Sequence, residues 1–130
     1  MAFVLEFDAR NDILRVRLEG RVTDAILLDC YGTTAKYVAS HPPCRGIADV
    51  SGVTEFSVSS TAIKQLTKAS PAFPAASMRI FVAPQPHVFG MAHMFQMLGE
   101  ETRPNLHIVR TMDEAYSLLE VESPEFHPVS

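Results

Sequence analysis

The residues best suited to chemistry lie in one run, Ile47 to Ile63, IADVSGVTEFSVSSTAI, where an apolar strand leads through a short polar turn into a hydroxyl-rich helix start. First-turn N–H groups of a helix lack intrahelical partners and carry partial positive charge, so a phosphate or carboxylate is stabilised there. Ser57 and Ser59 are therefore candidates for a phosphosite or an anion site. Ser and Thr are equally the preferred helix caps, worth about 0.5–2 kcal/mol of stability, and capping alone would also account for them. Open α/β sheets bind ligands beyond the carboxyl ends of their parallel strands. That rule marks a rim with Ser51 and Thr54, and with His87 at a later helix start, where it could meet an anionic group. A third set is apolar: Met91 and Met94 with Phe89 and Phe95, near Phe73 of the Pro71-Ala72-Phe73-Pro74 segment. These exceed one core-facing stripe, and methionine adapts to irregular surfaces, so they could form an apolar interface or pocket as well as core packing.

Nucleophilic and metal chemistry find less support. The five histidines stand at 41, 87, 93, 107 and 127, with no i, i+4 pair and only the loose combination His41-Pro-Pro-Cys44, so no metal site is assigned. Neither a G-x-S-x-G elbow nor a Gly-rich phosphate loop is present, and Cys30 has no activating base in its helix. No catalytic residue and no cofactor is assigned. An active site assembled from residues distant in sequence stays open.

Positioning these residues falls to a chain of 130 residues, enough for one domain with its own core. Its 47% hydrophobic and 20% charged residues are ordinary for a soluble protein, and no apolar run approaches the ~20 residues that span a bilayer. A net charge of −4 counts against binding to a phosphate backbone, so no nucleic-acid partner is expected. The opening MAFVLEFDAR lacks the pattern of a secretory signal, and two cysteines without a repeating spacing read as reduced thiols. Cytoplasmic residence is the expectation.

Residues 3–7 and 13–18 alternate apolar and polar, joined by a short turn, and predict an antiparallel hairpin on a sheet edge guarded by Arg15 and Arg17. Thr23 caps a first helix that ends at His41-Pro42-Pro43. Three strands without alternation, 46–50, 79–83 and 106–109, read as buried on both faces. Each is followed by a helix: one capped by Ser57 or Ser59, one opening at Pro86, and one opening with the capping box Thr111-Met112-Asp113-Glu114. Together they predict an α/β fold: the N-terminal antiparallel β-hairpin, then strand-helix repeats forming a mostly parallel five-stranded sheet with four main helices. Residues 1–121 form a single domain and 122–130 a flexible C-terminal tail.

With Asp49-Val50-Ser51-Gly52-Val53 at its centre, this pattern resembles the SpoIIAA-like or STAS domain of anti-sigma-factor antagonists over about residues 3–121. In that family an Asp-Ser-Ser/Thr-Gly motif further on supplies a phosphorylatable hydroxyl, whereas this chain reads Ser57-Val58-Ser59-Ser60-Thr61. The phospho-switch is therefore not intact. Phe89-Gly90-Met91-Ala92-His93-Met94-Phe95 and the closing capping box are similar to small bacterial proteins of the SpoIIAA-like or STAS/SEC14-like type. The resemblance implies a non-enzymatic regulatory domain that acts through protein-protein contact, either with a partner or as a homodimer. Its SEC14-like side implies the alternative, a carrier of a small apolar ligand or lipid.

Overall fold

Alternating apolar residues build the first hairpin. The computed structural model describes residues 2–129. In it, β1 (Phe3–Asp8) and β2 (Ile13–Thr23) pair antiparallel, from Phe3 opposite Leu18 to Asp8 opposite Ile13. The Asp8 carboxylate closes their turn by accepting hydrogen bonds from the Arg10 and Asn11 N–H groups and from the Asn11 side chain, while Asp12 takes a φ of 54°. Thr23 then caps α1 (Asp24–Ala39), its hydroxyl accepting from the Ile26 N–H at 3.3 Å.

Next come β3 (Arg45–Ser57), α2 (Ser60–Lys68), β4 (Arg79–Val82) and α3 (Pro86–Leu98). After these follow β5 (Leu106–Val109), α4 (Met112–Leu119) and β6 (His127–Pro128). The described residues thus form four helices and one six-stranded sheet of order β5-β4-β3-β2-β1-β6, parallel from β2 to β5 and antiparallel at β1 and β6. Each sheet face has its own core. Leu14, Val16 and Leu18 meet Leu27 and Cys30 of α1, Ile63 and Leu66 of α2, and Val88 of α3. Ile13, Ile47, Ile80 and Val109 meet Ala115 and Leu119 of α4.

Three expectations change. The sheet has six strands, not five, because His127 and Pro128 pair with Phe7 and Glu6 instead of trailing away. An uncovered β1 would present a row of unpaired backbone groups, and the Val129 N–H takes the Leu5 carbonyl at 3.0 Å. Pro128 is tolerated because it lies on the outermost strand. The edge of the hairpin is consequently covered from Leu5 to Phe7, and Arg15 and Arg17, on β2, do not guard it. Both converge on Glu6 Oε1, at 3.0 and 2.7 Å, and the Arg15 guanidinium covers the Phe126 ring at 4.0 Å.

The third change concerns the polar turn after Val50, which is strand. β4 pairs with β3 only as far as Asp49 opposite Val82, but β3 continues against β2 to Ser57 opposite Thr23. Register shifts after Arg17 and Gly20 let the ribbon twist on, and Gly20 adopts a φ of 71° that most side chains avoid. Its polar residues stay solvated while Val53 turns inward, so no turn is needed to satisfy them.

Candidate functional site

Between the sheet and the three helices on its first face lies a cavity of about 150 Å³. Its floor is β2 and β3, with Val16, Leu18, Gly46 and Ala48, and Phe81 of β4 beside them. The walls come from Leu27 and Cys30 of α1, Ile63 and Leu66 of α2, and Val88, Met91, Ala92 and Phe95 of α3. Phe73, from the loop between α2 and β4, closes one side. A Cβ on Gly46 would lie only 2.5 Å from Phe73 Cζ, so glycine at this point lets the ring rest on the strand backbone.

Most polar atoms around this space are already satisfied. The Thr34 hydroxyl donates to the Cys30 carbonyl at 2.8 Å, and the Tyr31 hydroxyl donates to the Ser70 carbonyl at 2.6 Å. Burial pushes the Cys30 thiol up to about 12, so it stays a neutral, inert wall group. Arg103 is 4% exposed, yet it donates to the Leu66, Thr67 and Ala69 carbonyls and to the Tyr31 hydroxyl. It closes the C-terminal end of α2, where carbonyls lack helical partners. Its guanidinium also lies 4.9 Å from the Phe95 ring centroid.

Arg79 is different. It opens β4 on the face toward the cavity and is 7% exposed, while its Nε and Nη2 are buried without a hydrogen-bond partner. No carboxylate pairs with it among the described residues. Burial, and then the charge of Arg103, lower its pKa from the ordinary guanidinium value, but an arginine begins so high that it stays charged.

Of the residues singled out in the sequence, Phe73, Met91 and Phe95 line this cavity. Phe89 and Met94 are half-buried against the same core without lining it. Phe89 carries the Arg110 guanidinium at 4.2 Å on its ring, and His93 meets its edge. Ser59 caps α2, accepting from the Ala62 N–H at 3.1 Å and donating to Asp24 Oδ2 at 2.8 Å, while its own N–H donates to Asp24 Oδ1. The α2 N-terminus thus already holds a carboxylate, supplied by the first turn of α1. Ser57 is exposed and donates to Glu55 Oε2, which, with Arg21, lowers the Glu55 pKa. Any phosphate on either serine would meet a carboxylate.

Ser51 and Thr54 lie within β3 and not after it, because the strand runs on. The Ser51 N–H and hydroxyl both donate to Asp49 Oδ1, and His87 is exposed, its ring edge-on to Phe56 with the centroids 6.2 Å apart. No hydrogen bond joins any two of these five rim and turn residues among the described ones. Sequence reasoning missed Arg79, Arg103 and the α1 wall. Arg79 had a signal: it is the one charge within 79–83, a strand that reads as buried on both faces. No protein-family model matches the chain, and no curated protein matches it.

Proposed function

We propose that this chain is a non-enzymatic domain of the SpoIIAA-like or STAS/SEC14-like type that takes up a small apolar ligand between its sheet and α1, α2 and α3. The cavity carries this reading. An apolar cavity of about 150 Å³ accommodates a molecule the size of benzene, and filling such a space recovers roughly 3 kcal/mol of packing. Its walls come from every helix on that face, so a ligand there would touch much of the core on that side. Native mass spectrometry of freshly purified protein, followed by thermal unfolding across a panel of one-ring and short-chain molecules, tests the reading. Co-purified mass or stabilisation by the panel supports it; a bare chain that no molecule stabilises overturns it.

A regulatory, protein-contact reading is favoured by a separate observation. Met97 and Leu98, adjacent at the end of α3, are 74% and 52% exposed. Two large apolar side chains exposed at one helix end offer apolar surface to a contact. Light scattering at micromolar concentration tests the self-associating form of this reading, which a single species of 14.4 kDa would remove.

A further inference from the structure

We infer that the ligand of this cavity is a small monocarboxylate whose apolar body fills the space and whose carboxylate pairs with Arg79. The inference rests on the cavity reading above and adds the charge of the occupant. A buried guanidinium without an anion is costly, because its hydration is lost and nothing replaces it. Arg79 Nε and Nη2 both lack partners and are fully buried at the cavity wall, so a turn of the side chain is needed to present them; together they form one side of the guanidinium fork, which matches the two oxygens of a carboxylate.

The second buried arginine does not compete for this role. Arg103 already donates to three carbonyls and two hydroxyls, so its hydrogen-bonding capacity is committed to the end of α2 and its neighbours. One free fork presents two parallel donors, which is what the two oxygens of a single carboxylate accept. The size limit comes from the cavity, about one benzene ring. Benzoate and hexanoate fit the description, whereas long-chain acids exceed it.

Isothermal titration of the full chain at neutral pH with hexanoate and hexanol, repeated with benzoate and benzyl alcohol, decides the matter. In the wild type each carboxylate should bind at least about tenfold tighter than its alcohol, the gain expected from a charge-assisted pair. Arg79→Met should erase that preference, keep alcohol binding within about threefold, and raise the melting temperature of the free protein by removing an unpaired buried charge. If Arg79→Met fails to fold or melts lower, Arg79→Gln takes its place: loss of the carboxylate preference in that variant supports the pairing, and an unchanged preference overturns it. Equal binding of carboxylate and alcohol to the wild type overturns the anion inference and leaves the apolar cavity standing. Binding of neither member of either pair overturns both.

Discussion

Arg79 and Arg103 are both buried, but substitution of each by methionine should move stability in opposite directions. Arg103 satisfies the Leu66, Thr67 and Ala69 carbonyls and the Tyr31 hydroxyl. Arg103→Met strands these acceptors at the end of α2, and urea unfolding should show a loss of about 3 kcal/mol. Cys30 offers a second test at the same scale. With its pKa pushed up to about 12 by burial, only about one molecule in ten thousand carries the thiolate at pH 8. Its modification by a disulfide reagent should therefore track unfolding and accelerate in denaturant; rapid labelling of native Cys30 would contradict its buried position.

Among the elements, the C-terminal strand depends on contacts made far away in sequence. The Val129 N–H bonds to Leu5, the Glu125 N–H to Asp8 Oδ2, and Phe126 lies under Arg15. Truncation after residue 122 should cost about 1–2 kcal/mol and open the β1 edge, giving concentration-dependent association in light scattering. Asp8 ties this strand to the hairpin turn. Its burial opposes ionisation, but hydrogen bonds from the Asn11 side chain and from the Glu125, Asn11 and Arg10 N–H groups outweigh it and lower the pKa from the ordinary 3.8. A carboxylate with a lowered folded pKa contributes stability that is complete above the ordinary value and lost as pH falls through the folded one. Unfolding midpoints should therefore drop below about pH 4, and Asp8→Asn should flatten that acid limb while weakening the protein at neutral pH. These pairings were invisible in the sequence because residues 122–130 have little apolar content and two prolines, which suit an edge strand as well as a tail.

For the whole molecule, the sheet separates two cores; the helices that wall the cavity all belong to one, and the other reaches it only at Ile47 and Ile80 of the sheet. A ligand in the cavity should therefore protect the two faces unequally. Hydrogen exchange with saturating hexanoate should slow amides of α1, α2 and α3, with much smaller effects in α4. Equal protection on both faces would show stabilisation that does not come from the cavity.

Local pattern sufficed for much of the fold. Alternation in β1 and β2, the Thr23 and Ser59 caps, Pro86 at the head of α3 and the Thr111 cap place their elements where the side chains and backbone need only near neighbours. The apolar surplus of α3 was also legible, and Met91 and Phe95 do face a pocket. The rest required the tertiary structure. Whether 51–57 turns or continues as strand depends on β2 lying alongside, and the sixth strand depends on the free edge of β1. The cavity depends on Gly46, Phe73 and Arg79 meeting from separate segments. The sequence by itself determined an α/β domain with a hairpin and capped helices, because those preferences are local; only tertiary packing decided which polar groups are satisfied, and so left Arg79 without a partner beside an apolar space.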